Sequence, residues 1–161
     1  MNVPWAKLYL DENELKAVVD VLKSTWLSMG PKVQEFEEMM AHYVGVKHTI
    51  AVSSGTAALD IALKVLGIGQ NDEVIVPAMA YVATANSVLY QHSIPVFADV
   101  DSRTFNIDPD DVKRRISSKT KCIIPIDYGG QAAGFEKLRE ISQEHNLFIV
   151  EDGAPGLGGK Y

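Results

Sequence analysis

Two spacings of apolar residues take turns along this chain. Leu15, Val18, Val19 and Leu22 recur every three to four residues, and so do Val33, Phe36, Met40 and Tyr43. That is the period of a single helix face. Beyond them the pattern shortens to apolar runs rich in β-branched residues: Thr49–Val52, Glu73–Val76, Pro95–Ala98, Cys122–Ile126 and Phe148–Val150. Helix-like periods over Thr56–Leu66, Ala80–Gln91, Pro109–Ser117 and Phe135–His145 separate these runs. Gly67 and Gly69 close one helix, and Asn71-Asp72 turns the chain into the next strand. Strands that read as continuous apolar runs, alternating with helices, predict a mostly parallel sheet covered on both faces. The expected fold class is therefore α/β, a three-layer α/β/α arrangement. In such sheets ligands bind beyond the carboxyl ends of the strands, which makes the segments after Val52, Val76 and Val150 the places to search for chemistry.

Composition narrows the classes. The 161 residues suffice for one domain with a real core. A net charge of −6 and the lack of a dense basic stripe argue against nucleic acid as a main partner. The one basic cluster, Lys113-Arg114-Arg115, lies on a helix-patterned segment and reads as a solvated face. A single cysteine, Cys122, excludes an internal disulfide and a cysteine-built zinc site, and its apolar neighbours predict a buried thiol. His42, His48, His92 and His145 lack metal-ligand spacing. The longest largely apolar stretch, Val74 to Ala85, is interrupted by Pro77 and is too short to span a bilayer. With no apolar signal core at the N-terminus, a cytoplasmic protein without a membrane partner is expected.

Three features carry candidate chemistry. Ser53-Ser54-Gly55-Thr56 stands between a strand pattern and a helix pattern. Backbone N–H groups near Gly55, Thr56 and Ala57, with the Thr56 hydroxyl, would face the positive end of a helix dipole and suit a phosphate. A plain helix cap by Ser or Thr accounts for the same residues without a ligand. Asp152 follows an apolar run and could hold a pyridine nitrogen protonated through a charge-assisted hydrogen bond. A helix cap or a metal ligand is the alternative, and Glu151 reads as a solvated or ion-paired neighbour. Tyr81, beyond the strand ending near Val76, could stack on a flat ring or serve as a core or helix-start tyrosine. Anion at one junction and cationic ring nitrogen at another fit pyridoxal phosphate, whose protonated ring acts as an electron sink. The Gly153–Lys160 segment fails as a Walker loop, with Ala154 and Tyr161 at positions that need Gly and Ser or Thr.

An ordered set of motifs makes the case more specific. It runs through Trp26-Leu27-Ser28-Met29-Gly30-Pro31, Phe36-Glu37, Ser53-Ser54-Gly55-Thr56-Ala57-Ala58-Leu59 and Asp72-Glu73-Val74-Ile75-Val76-Pro77. Ala83-Thr84-Ala85-Asn86, Pro95-Val96-Phe97-Ala98-Asp99-Val100-Asp101, Asn106-Ile107-Asp108, Lys119-Thr120-Lys121 and Ile149-Val150-Glu151-Asp152 continue it. The chain resembles the DegT/DnrJ/EryC1/StrS family of pyridoxal-phosphate aminotransferases over essentially its whole length. The resemblance implies the large domain of the fold type I, aspartate-aminotransferase-like enzymes. It implies pyridoxal 5′-phosphate as cofactor, a keto-sugar nucleotide as substrate and glutamate as amino donor. It also implies that Gly55 and Thr56 bind the cofactor phosphate, Tyr81 stacks on the ring and Asp152 pairs with the ring nitrogen.

Two departures qualify it. The family usually has Gln or His three residues after the aspartate, and here that residue is Pro155, which cannot donate a hydrogen bond. The family's Schiff-base lysine lies downstream of the Glu-Asp motif, beyond a Gly-rich segment. Lys160 falls within that Gly-rich segment and is not assigned the role. Gly156-Leu157-Gly158-Gly159-Lys160-Tyr161 reads as the middle of a loop. The expectation is therefore a partial PLP-binding large domain over 1–161, without the rest of that domain, the small domain or the lysine. Such a chain is expected to be inactive alone and to associate into a homo-oligomer through apolar surface. A non-catalytic α/β module that binds a phosphate-bearing ligand or a partner chain is the alternative reading, and a relative that uses the cofactor for sugar dehydration is a third.

Overall fold

In a computed structural model, which describes residues 7–159, alternation along the strands sorts the core into two halves. The element order is α1 (Glu12–Ser24), α2 (Pro31–Val44), α3 (Gly55–Val65), β1 (Glu73–Pro77), α4 (Val82–Tyr90), β2 (Ile94–Ala98), α5 (Pro109–Arg115), β3 (Thr120–Ile123), α6 (Phe135–His145) and β4 (Phe148–Ile149). The four strands form one parallel sheet in the order β2-β1-β3-β4. Val74 and Val76 of β1 face α3 and α4, and pack with Leu59, Leu63, Val88, Cys122 and Ile124. Ile75, between them, faces the other way and packs with Ile123 of β3 and with Ile107, Val112, Phe135, Leu138 and Ile141 of α5, α6 and their approaches. Successive strand residues point to opposite faces, so a run apolar at every position is the sequence of a sheet buried on both sides. The result is the expected three-layer α/β/α arrangement.

The chain divides into two units, Met1–Ala51 and Val52–Tyr161. The first holds α1 and α2. Asp11 caps α1 in a capping box with Glu14, and Pro31 opens α2. The connection between them is the Trp26–Pro31 motif. The Trp26 indole N–H donates to the Met29 carbonyl at 3.2 Å. Its ring lies so near Gly30 that a Cβ there would stand 2.6 Å from Nε1, so a side chain at that position would displace the indole.

The second unit holds the sheet and α3–α6. α3 runs in the same direction as α4, because the Ser93 hydroxyl just after α4 donates to the Gly69 carbonyl just after α3 at 2.5 Å. It lies beside α4, and Gln91 Nε2 ties the two by donating to the Asp60 carbonyl and carboxylate. The N-termini of α3 and α4 are thus both at the carboxyl end of the sheet. The basic cluster ends α5, where Lys113 pairs with Glu144 at 2.8 Å and Arg114 and Arg115 with Asp111 at 3.0 and 3.3 Å. It is a self-neutralised helix face.

One expected strand is corrected. Thr49–Val52 pairs with no strand among the described residues. Instead, within the first unit, the Thr49 hydroxyl donates to the Glu37 carbonyl at 2.5 Å and the Ala51 N–H to Glu37 Oε1 at 2.7 Å. A strand exists only through ladder bonds to another backbone, and here a side chain meets the donor instead. β3 and β4 also stop short of the expected ends, although an isolated parallel bridge between Ile126 and Asp152 continues their pairing. Lys160, considered above for the lysine role, lies outside the described residues. Among the described residues no helix is long and apolar enough to cross a membrane.

Candidate functional site

Asp152 is placed by backbone pairing. Its N–H donates to the Pro125 carbonyl at 2.9 Å, and its carbonyl accepts from the Asp127 N–H at 3.3 Å. These bonds carry the β3–β4 register past the ends of the strands and fix the backbone from which the carboxylate projects. Asp152 Oδ2 accepts from the Thr84 hydroxyl at 3.2 Å. Oδ1 has only the Ala154 N–H, at 3.5 Å, the outer limit of a hydrogen bond. That leaves acceptor capacity on a half-buried carboxylate at the carboxyl end of the sheet.

Tyr81 is the N-cap residue of α4 and is 74% exposed. It makes no side-chain cap bond, so the ring is not engaged in ending its helix. The core-tyrosine alternative does not describe it. Thr84 sits in the first turn of the same helix, and its N–H donates to the Tyr81 carbonyl at 3.1 Å. One helical turn thus carries both the exposed aromatic and the hydroxyl on Asp152.

Gly55, Thr56 and Ala57 form the first turn of α3. Ser54 is the N-cap, and its Oγ accepts from the Ala57 N–H at 3.1 Å. The Ala57 donor is therefore met by the cap. The N–H groups of Gly55 and Thr56 have no intrahelical acceptor, as first-turn residues never do. A Cβ added at Gly55 would meet nothing within 4 Å, so that flank of the helix start is uncrowded. These three residues make no hydrogen bond to Tyr81, Thr84 or Asp152 among the described residues. What joins them is the placement of two helix N-termini and one strand end along the same edge.

Glu151 and Asp152 divide between the two faces, as adjacent residues on an extended backbone must. Asp152 reaches α4. Glu151 reaches toward α6, into a cavity of about 160 Å³ lined by Asp127, Phe135, Arg139 and Gly156. Burial pushes the Glu151 carboxyl above its ordinary range, and a hydrogen bond with Asp127 pushes it further. Asp127, a buried residue that pattern reading passed over, accepts from the Ala133 N–H at 3.0 Å. A Cβ at Gly156 would lie 2.6 Å from Asp127 Oδ2, so only glycine lets this loop pass. Pro155 lies in the same turn. Cys122 is fully buried and its thiol is pushed up to about 12 by that burial, so it remains a protonated core residue. Among the described residues no three His, Cys, Asp or Glu side chains stand together as a metal site.

The DegT/DnrJ/EryC1/StrS aminotransferase family model matches residues 8–161. The chain belongs to this family. It is 42% identical over 159 residues to the spore coat polysaccharide biosynthesis protein SpsC of Bacillus subtilis, covering 99% of this chain and 41% of that protein. It is 44% identical over 153 residues to the GDP-perosamine synthase of Caulobacter vibrioides, covering 94% and 41% respectively. Among solved structures, NtdA of Bacillus subtilis with bound pyridoxamine phosphate superposes with a TM-score of 0.88 at 35% identity, over 91% of this chain and 34% of that one. The chain spans about two-fifths of the length of the curated relatives it matches. Its architecture is that of the fold type I, aspartate-aminotransferase-like PLP enzymes.

Proposed function

We propose that this chain is the N-terminal part of the large domain of a pyridoxal-phosphate aminotransferase. The intact form would move an amino group from glutamate to a nucleotide-linked keto-sugar. The observation that carries this reading is the Asp152 carboxylate, held at the carboxyl end of the sheet with one oxygen tied to Thr84 and the other left with acceptor capacity. Its donor and acceptor set fits the cofactor: N–H donors at the start of one helix, an exposed aromatic at the start of the next and a carboxylate bonded to that second helix.

When bound, pyridoxal phosphate supplies an electron sink that stabilises negative charge at the carbon bearing the amino group. Asp152 would hold the ring nitrogen's proton through a charge-assisted hydrogen bond. The N–H groups of Gly55 and Thr56, with the Thr56 hydroxyl, would bind the phosphate at the positive end of α3. Ala57 would join them only by releasing its N–H from Ser54 Oγ. Tyr81 would cover the ring and shield it from water. Pro155 has no N–H to offer, so a contact to the ring hydroxyl must come from another residue.

The amine that holds the cofactor covalently is supplied, on this reading, by sequence outside these residues, together with the remainder of the large domain and the small domain. The 161 residues alone would bind the cofactor without turning over. A cytoplasmic homo-oligomer completes the proposal.

The test is an absorbance titration of the chain with pyridoxal 5′-phosphate, compared with Asp152→Asn. Loss of a hydrogen bond between charged groups predicts affinity lower by about tenfold or more. Unchanged affinity would reject the ring-nitrogen role. A wild-type chain that does not bind would favour the non-catalytic module instead.

A further inference from the structure

We infer that Thr84 is a positioning residue that acts through Asp152 on the ring nitrogen of a pyridine-type cofactor, an inference that rests on the cofactor reading above. Three observations carry it. Thr84 is 1% exposed, although it lies in the first turn of a helix whose N-cap residue is open to solvent. Its hydroxyl spans 68 residues of sequence to reach Asp152 Oδ2 at 3.2 Å. Its backbone N–H is already spent on the Tyr81 carbonyl, which locks it to the turn that presents Tyr81.

A helical threonine usually returns its hydroxyl to a carbonyl of the preceding turn. Here the hydroxyl leaves its own helix for a carboxylate on the neighbouring β-strand path. A carboxylate can rotate about its Cβ–Cγ bond through a broad range of angles. The bond to Oδ2 narrows that range and leaves Oδ1 to a second partner. Because Thr84 and Tyr81 share one turn, the aromatic face and the carboxylate edge are held as a single unit. Such pre-set geometry favours binding by removing motion that the ligand would otherwise have to freeze.

The test compares two ligands that cannot form a Schiff base with a lysine. One is pyridoxamine 5′-phosphate. The other is its carbocyclic analogue, in which C–H replaces the ring nitrogen. Calorimetric titration of the wild-type chain should favour the nitrogen-bearing ligand. Thr84→Val keeps the shape and removes the donor, and should weaken that ligand by about tenfold while shifting the analogue less than about twofold. Thr84→Ser should restore the preference, since it returns the hydroxyl. If Thr84→Val does not fold, Thr84→Ala carries the same comparison. Equal losses for both ligands would reduce Thr84 to a packing role and overturn the inference, as would no loss for either. A wild-type chain that binds both ligands equally, or neither, would overturn the cofactor reading itself.

Discussion

Helices α1 and α3 start from the same kind of sequence and end in different states. Each has an apolar stripe at helical spacing, and each has a side-chain N-cap, Asp11 for α1 and Ser54 for α3. Yet α3 buries Leu59 and Leu63 against the sheet, whereas no residue of α1 or α2 is buried. Leu63 is fully enclosed and Leu15 is 58% exposed. Periodicity and caps declare that a segment is helical and which face is apolar. They do not supply the surface that covers that face, and it is the covering that stabilises.

The largest expected effect tests this contrast directly. Leu63→Ala should cost about 2–5 kcal/mol in urea unfolding, as buried leucine truncations do. Leu15→Ala should cost less than about 0.5 kcal/mol, as exposed substitutions do. Similar losses would break the comparison and show that the α1 stripe is covered in solution.

A smaller effect sharpens the account of the α3 terminus. Ser54→Ala removes the acceptor of the Ala57 N–H and should cost about 1 kcal/mol in the same measurement. If the terminus is an anion site, added inorganic phosphate should recover part of that loss in the thermal midpoint. Recovery of nothing would leave Ser54 as a plain cap.

The smallest effect concerns the sheet end on the α6 side. The folded-state pKa of Glu151 is raised, so the fold prefers its protonated form. The stability it contributes is complete below its ordinary value of 4.5 and is lost as pH rises through the higher folded value. Glu151→Gln should flatten that part of the stability–pH curve. A curve of unchanged slope would remove Glu151 from the account.

Much of this arrangement was legible in the chain itself. Phe135–His145 is helical over the predicted residues, and β1 and β2 lie within one residue of their predicted ends. Apolar runs of β-branched residues admit few alternatives when helices separate them. Tyr81 and Asp152 could be assigned to carboxyl ends of strands from order alone, because parallel connectivity puts every such end on one edge. The failures share a cause. Thr49–Val52 has the residues of a strand, but a strand needs a neighbour that local sequence does not name. Asp127 belongs to none of the motifs, and Thr84 enters only within Ala83-Thr84-Ala85-Asn86, with no role of its own. Their importance lies in bonds to Ala133 and Asp152, and the latter crosses 68 residues.

The amino-acid order by itself determined the alternation of helices and strands, the two-sided burial of the sheet and the edge on which chemistry would gather. Each follows from spacing and side-chain type over a few residues. Tertiary structure alone decided that Asp152 turns toward Thr84 while Glu151 turns toward Asp127, and that α3 is enclosed while α1 is not. Those outcomes depend on which distant backbone arrives alongside, and short-range pattern holds no record of that.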